Sequence, residues 1–355
     1  MRVVETLSAS TGGIGRHVAD LAPRLAALGH DVTVLCPPST AAAHDLAGLD
    51  VGPPRRLARL RGVDVVHAHG YKAAAAALPW TRLRRIPLVV SWHNAVLADG
   101  AAGRVGRALQ VLVARGADLT LGASTDLVAA ARAAGARHAA LGPVAAPRLA
   151  APTVPRERSR AALGLAPGTV LVVTVGRLAP QKNLGLVLDV AARLAARTDL
   201  TFVLAGGGPL QATLAARAAR EGTRVRLLGP VDDVASLLAA ADLMLLTSSW
   251  EARALVAQEA LLAGLPLVST RVGGIEELVG DAAVLVPGGD AAAAAAAVVA
   301  LADDPARRAA LAAAGLRRAA TWPDEDEVAQ DLSATYGRLV DRRAGGHSTK
   351  GRPPT

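Results

Sequence analysis

The sequence predicts an α/β protein built from two doubly wound, Rossmann-like domains. Short apolar runs alternate with alanine-rich helical stretches, the pattern of parallel strands joined by crossover helices. That rhythm breaks over residues 143–157, where Pro143, Pro147, Pro152 and Pro155 fall without periodicity, and then restarts. The chain is also long, at 355 residues, where single cores stop growing at about 250–300 residues.

In chain order, residues 2–7 read as a strand and 13–28 as a helix stopped by Gly29. Further strands are expected at 31–36, 63–67, 87–91 and 118–122. After the proline-rich linker come a strand at 170–175, a helix at 183–196, a strand at 201–205 and a helix at 209–221. Strands at 225–228, 243–246 and 267–269 continue the sheet, and a helix begins near Ala254. A last helix over 324–341 follows Trp322-Pro323, and residues 343–355 read as a disordered tail. The expected domains are therefore 1–150, 151–322 and a C-terminal helical segment, 323–342. Ligands of such sheets bind beyond the carboxyl ends of the strands, so the cleft between two facing domains is the expected active site.

Composition narrows the class. One cysteine, Cys36, excludes a disulfide framework and a cysteine-based zinc site. It ends the apolar run 32–36 and is expected to be buried. The N-terminus does not read as a signal peptide, and no apolar run is long enough to span a bilayer, so a cytoplasmic protein is expected. The net charge of +9 is carried almost entirely by arginine; Lys72, Lys182 and Lys350 are the lysines. In so alanine-rich a chain this reflects a GC-rich genome more than nucleic-acid binding, and no nucleic-acid partner is expected.

The segment 248–279 carries the most chemistry. Glu251 and Glu259 bracket the start of a helix, whose free N–H groups and partial positive charge suit a diphosphate. Glu251 on the preceding loop can accept from sugar hydroxyls, and Glu259 inside the helix from a ribose. In Gly176-Arg177-Leu178-Ala179-Pro180-Gln181-Lys182-Asn183, Arg177 and Lys182 can neutralise a diphosphate without a metal. Gly12 and Gly13, between a strand and a helix, allow close backbone approach to a phosphate or acceptor; Val18 breaks the dinucleotide fingerprint. His93 ends the strand at 87–91, either capping a loop or facing substrate. His67 and His69 alternate in strand fashion with no third ligand evident, so strand-end hydrogen bonding is expected. Asp324-Glu325-Asp326 and Asp232-Asp233 read as helix starts. No metal site is expected.

Glu251-x7-Glu259, GRLAPQKN at 176–183, AGGGP at 205–209, Thr11-Gly12-Gly13, Ser91-Trp92-His93-Asn94 and Trp322 occur in an order and spacing that resembles the retaining GT-B glycosyltransferases of family 4, over nearly all of residues 1–341. The resemblance implies two Rossmann-like domains facing across a cleft and a final helix returning to the first domain. It places Glu251 on the donor sugar, Glu259 on the ribose, and Arg177 and Lys182 on the diphosphate, assisted by the amides of Leu255 and Val256. The base would lie near Gly207 and the loop 229–232, including Val231, with His93 turned toward the reacting sugar. One departure stands out: Arg253 and Ala254 replace the usual aromatic residue and glycine. Alanine does not share glycine's ease at positive φ, and Arg253 offers a contact to a phosphate or acidic acceptor.

The expected activity is transfer of a hexose or N-acetylhexosamine from a UDP- or GDP-sugar, with retention, to a cell-envelope, lipid-linked or small-molecule acceptor. The donor is a substrate, and no cofactor is expected. Arg55, Arg56, Arg59 and Arg61, with Trp80, Arg82, Arg84 and Arg85, offer a basic face for peripheral contact with anionic lipid at the inner face of the cell membrane. Two other readings stay open here: a noncatalytic sugar-nucleotide-binding partner, separated by donor hydrolysis or transfer, and a sugar-nucleotide epimerase on the same scaffold, which the two glutamates beside Arg177 and Lys182 disfavour.

Overall fold

The computed structural model describes residues 1–10, 12–142, 144–146 and 148–348, with side chains to Arg343; Thr11, Pro143, Pro147 and 349–355 lie outside the described residues. The chain divides into two compact units, Met1–Ala145 with Pro323 onward, and Ala146–Trp322.

The first unit begins β1 (Arg2–Leu7), α1 (Gly13–Ala27), β2 (Asp31–Leu35), α2 (Pro38–Ala41), β3 (Asp50–Gly52) and β4 (Val65–His69). It continues with α3 (Tyr71–Arg84), β5 (Leu88–Trp92), α4 (Gly100–Gly116), β6 (Leu119–Gly122), α5 (Thr125–Ala133) and β7 (Ala139–Leu141). Its sheet runs β3-β2-β1-β4-β5-β6-β7 and every pairing is parallel. α1 stops where Gly29 takes a φ of 85°, a turn that favours glycine.

The second unit contains α6 (Arg156–Ala162), β8 (Val170–Val175), α7 (Gly185–Arg193), β9 (Leu200–Ala205), α8 (Gln211–Glu221), β10 (Val225–Gly229) and α9 (Val234–Ala240). β11 (Leu243–Leu246), α10 (Leu255–Leu262), β12 (Leu267–Thr270), α11 (Ile275–Val279), β13 (Ala283–Val286), α12 (Ala291–Ala302) and α13 (Pro305–Ala319) complete it. Its sheet order, β10-β9-β8-β11-β12-β13, is the doubly wound order 3-2-1-4-5-6. Along β8, Val170 and Val172 enter one hydrophobic cluster while Leu171 and Val173 enter the other. Successive side chains point to opposite faces, so an unbroken apolar run is what a sheet covered on both sides requires.

The last helix, α14 (Glu325–Ser348), packs on α1 of the first unit. Tyr336 and Ala329 join the core cluster of β1, α1 and β2. Asp324 accepts from the amides of Asp326 and Glu327 at the helix start, and Arg24 of α1 pairs with Glu325 and Asp326. The acidic triplet thus serves as a cap and a helix–helix tie.

Three expectations need correction. The helix expected over 183–196 is a 3-10 turn, Pro180–Lys182, then Asn183 in the left-handed region, then α7 from Gly185. The linker expected to run to 157 ends at Pro155, where α6 begins. The tail expected from 343 is helical in backbone as far as Ser348. The short strands β3, β7 and β13 were not expected; three or four residues long, they carry too little alternation to read.

Leu188, fully buried against β8 and β9 in the second unit, tests the packing. Leu188→Ala is expected to lower unfolding free energy by about 2–5 kcal/mol, measured by urea denaturation; a change under about 1 kcal/mol would contradict a close-packed site.

Candidate functional site

In the second unit, the predicted donor residues gather at the carboxyl ends of β8, β9, β10 and β11. Lys182 follows the turn after β8, and its Nζ lies 2.5 Å from Glu251 Oε1. The hydroxyl of Ser248 donates to the same oxygen at 2.6 Å. Glu251 is buried and Lys182 largely so. The two loops are zipped together: Ser249 N–H and hydroxyl donate to Gln181 O at 2.8 and 3.0 Å, Gln181 Nε2 to Trp250 O at 2.8 Å, and Thr247 to Lys182 O at 3.0 Å. A lysine and a carboxylate held this way form a rigid, charge-balanced pair in which Glu251 Oε1 is already engaged.

Glycine is obligatory beside this pair. A Cβ on Gly206, at φ 139°, would meet Gly176 O at 1.9 Å, and one on Gly273, at φ 52°, would meet Glu251 O at 2.0 Å. These approaches let three strand ends converge on a cavity of about 210 Å³ lined by Gly176, Arg177, Gly206, Gly207, Pro230 and Val231. Arg177 is exposed at its rim. The sequence named Gly207, Val231 and Arg177 as neighbours, and the structure brings them together. α10 starts at Leu255, so by helix geometry the amides of Leu255 and Val256 are among its free N–H groups. Glu259 sits half-buried one turn further on.

The Arg253-Ala254 departure resolves differently from expectation. Ala254 caps α10 at φ −64°, so no glycine is required. The Arg253 guanidinium lies 5.9 Å from the ring centre of Trp322, and its Nε and Nη2 are buried. Burial first, and the Arg318 charge second, lower its pKa to about 10. Its side chain is packed against the aromatic residue that precedes α14.

The first unit holds a polar centre that the sequence showed only in fragments. Strand register sets Glu5 opposite His67, and His69 opposite Ser91; alternation puts all four on one face. Glu5 is wholly buried. Its Oε2 accepts from His69 Nε2 at 2.7 Å and its Oε1 from the Tyr336 hydroxyl at 3.0 Å. Tyr336 in turn is 2.6 Å from His67 Nδ1, and His67 Nε2 is 2.7 Å from Ser91 Oγ. His93, just past β5, places its Nε2 3.1 Å from His69 Nδ1, and His17 of α1 stands edge-on to both rings. Burial opposes the Glu5 charge, but His67 and the hydrogen bonds from His67 and His69 overcome it, holding its carboxyl well below the usual range. Burial, then neighbouring imidazoles, push His17 down to about 3 and His69 to about 4, and hold His93 well below its ordinary value. The hydrogen bonding expected of His67 and His69 is present, and the third ligand that the sequence did not show beside them is Glu5, with His17, Tyr336 and His93 completing the surroundings. Glu5, a charge inside the apolar strand 2–7, was the legible signal.

Two triplets, His17-His69-His93 and Glu5-His67-His69, bring ligand atoms within 4.8 Å of one another. His69 and His93, however, lie 15° from parallel with ring centres 5.4 Å apart and nitrogens 3.1 Å apart. That spacing sets both nitrogens on the line between the rings, the arrangement of a shared proton; two ligands on one tetrahedral zinc would meet at an angle instead. Beside this centre, a cavity of about 480 Å³ runs along β6 and β7 beneath α14, lined by His17, Ser91, Leu121, Leu332, Arg338 and Arg342 among others. Gly12 and Gly13, at the start of α1, are exposed, and a Cβ on Gly12 would meet nothing within 4 Å.

Residues 12–145 match the model of the glycosyl transferase 4-like domain, and 155–318 that of glycosyl transferases group 1. Each half thus matches a glycosyltransferase domain model, and the fold is the GT-B fold. The structure of Anabaena Alr3699/HepE in complex with UDP aligns with 95 % of this chain and 100 % of its own at TM-score 0.83 and 22 % identity. WaaG, a glycosyltransferase involved in lipopolysaccharide biosynthesis, aligns over 94 % and 99 % at TM-score 0.73 and 17 % identity. Among curated relatives, D-inositol 3-phosphate glycosyltransferase 1 of Catenulispora acidiphila is 32 % identical over 64 % of this chain and 61 % of its own. N-acetyl-alpha-D-glucosaminyl L-malate synthase of Bacillus anthracis is 34 % identical over 36 % and 34 %. The match spans about a third of the one relative's length and three fifths of the other's.

The buried, neutral histidines of this GT-B chain predict acid sensitivity. Unfolded histidine binds a proton near pH 6.5, whereas folded His17 and His69 do so only near 3 and 4. Below about pH 6.5 the unfolded chain therefore binds more protons, and stability falls as pH falls. The depressed Glu5 adds in the same direction below about pH 4.5. The urea midpoint is expected to drop steadily from pH 7.5 to 5; a flat midpoint over that range would contradict neutral buried rings.

Proposed function

We propose that the chain is a retaining, metal-independent glycosyltransferase of family 4 that moves a hexose or N-acetylhexosamine from a UDP- or GDP-sugar. The observation that carries the reading is the Lys182–Glu251 pair, locked at 2.5 Å beside the glycine-lined cavity and the start of α10. In this reading the cavity takes the base, Glu259 the ribose, Arg177 and Lys182 the diphosphate with the Leu255 and Val256 amides, and Glu251 the sugar. Gly12, Gly13 and His93, in the first unit, are read as substrate-contacting residues of that unit. In the front-face step the acceptor oxygen bonds to the anomeric carbon as the bond to the diphosphate oxygen breaks. The departing diphosphate takes the acceptor proton while the cations stabilise its charge. Structures of Alr3699/HepE with UDP and with UDP-glucose favour the uridine donor.

Lys182→Ala is expected to lower turnover at least about 100-fold with circular dichroism unchanged; near-normal turnover would remove Lys182 from the chemistry. UDP-sugars should raise the melting temperature more than GDP- or ADP-sugars, and Glu259→Ala should abolish the gain. No shift with any donor would favour a noncatalytic role.

The acceptor is argued from charge. The named substrates of the relatives include D-inositol 3-phosphate and L-malate, both acidic. Arg55, Arg59, Arg61, Arg82, Arg84 and Arg85 are exposed beside exposed Trp80 and Leu83, although Arg56 is paired with Asp50, Arg82 donates to Arg115 O and Gly116 O, and Arg84 donates to Leu60 O and Ala58 O. Basic residues around exposed apolar ones suit an anionic bilayer and a lipid-linked acceptor. Among the described residues no helix is long and apolar enough to cross a membrane. Sedimentation with vesicles containing phosphatidylglycerol, but not with pure phosphatidylcholine, is expected, and should be lost in Arg55→Ser/Arg59→Ser/Leu83→Ser. Equal recovery with both vesicles would leave a soluble acidic acceptor.

A further inference from the structure

We infer that Glu5 and His69 are positioning residues that fix the tautomer of His93, leaving His93 Nδ1 as an acceptor for a substrate hydroxyl. The inference rests on the transferase reading for its substrate, but its proton placement stands on the geometry of buried, neutral rings. Glu5, ionised, can only accept hydrogen bonds. His69 Nε2, 2.7 Å from Glu5 Oε2, must therefore carry the hydrogen. A neutral ring then has a bare Nδ1, and the nitrogen facing it head-on at 3.1 Å is His93 Nε2. Two lone pairs that close would repel, so His93 Nε2 carries a hydrogen and donates. His93, neutral like His69, is left with its lone pair on Nδ1.

The order Glu5–His69–His93 has the logic of a carboxylate that orients one imidazole, extended by a second ring. Each member comes from a different strand or its end: β1, β4 and the residue after β5. Tyr336 completes the arrangement from α14. Its hydroxyl donates to the other carboxylate oxygen, so Glu5 cannot rotate away from His69 without losing a buried bond. The Glu5–His67 separation of 3.4 Å closes the centre on its remaining side. The sequence offers no reason to bury a carboxylate beneath four histidines for packing alone, since an apolar residue at position 5 would fit the strand at lower desolvation cost. The ionised group is explained if its work is to set the proton on His69.

The test begins with the unmodified chain. Long-range ¹H–¹⁵N NMR of histidine-labelled protein at pH 7.5 should show His93 protonated at Nε2 and bare at Nδ1. Glu5→Gln replaces an acceptor by an amide able to donate to His69 Nε2. The His69 hydrogen should then move to Nδ1 and that of His93 to its own Nδ1. With the tautomer inverted, kcat should fall at least about 100-fold while KM for the donor stays within about threefold. His69→Gln, whose amide can donate toward Glu5 and accept from His93, should keep the His93 tautomer and most of kcat. If Glu5→Gln does not fold, the wild-type spectrum and His69→Gln still decide. A wild-type His93 bearing its hydrogen on Nδ1 overturns the inference. So does an inverted tautomer in Glu5→Gln with kcat unchanged. If the wild type transfers from no donor, the transferase reading fails, while the tautomer and its inversion still judge the relay.

Discussion

A single ionised carboxylate, Glu5, buried on β1 in the interior of the first sheet, organises that unit. An unpaired charge there would be too costly to keep, so the surrounding elements must supply donors. β4 provides two histidines, α14 a tyrosine, and β5 and its end the serine and histidine that complete the chain of contacts. The requirement explains why α14, which follows the whole second unit in sequence, belongs structurally to the first. Apolar packing on α1 would hold the helix in place, but the Tyr336 hydroxyl also sets its register.

The second unit solves a different electrostatic problem. Its cations stand at the carboxyl ends of parallel strands, where a ligand's negative charge is expected. Lys182 is not left loose in solvent: Glu251 and Ser248 hold it, and the loop that carries it is stitched to residues 247–250. Such a pair is preorganised: its geometry is fixed by contacts already made within the protein. The glycines at 206 and 273 do the complementary work of letting backbones approach closer than any side chain would permit. Positive charge, bare backbone and a small cavity thus meet in one place, although the residues concerned span nearly a hundred positions.

The two units differ in what proton chemistry they favour. In the second, a lysine and a glutamate are held together as an ion pair. In the first, burial keeps histidines neutral around one anion, so hydrogen positions carry the information. A neutral imidazole has one donor and one acceptor nitrogen, and their assignment depends on the neighbour. A hydrogen-bond chain ending in an acceptor-only carboxylate leaves no freedom in that assignment.

The doubly wound fold was legible in the sequence because parallel strands need crossover helices, and both leave local periodicity. The segments at 176–183, 205–209 and 248–259 were legible too, because their glycines, basic residues and helix starts fall within a few positions of one another. Short edge strands escaped because three residues show no alternation, and Asn183 interrupted an expected helix by taking a left-handed turn that composition does not announce. The polar centre was visible only as His67-x-His69 and His93. Glu5, His17 and Tyr336 are brought to it by strand register and helix packing across separations of up to 331 residues, and no local pattern encodes which distant donor will meet a buried carboxylate. By itself the sequence determined the alternation of elements and the composition of the glycine-rich and basic loops at the strand ends, both products of short-range geometry. Only the tertiary structure decided which ionisable groups share a low-dielectric interior, because that depends on which strands become neighbours.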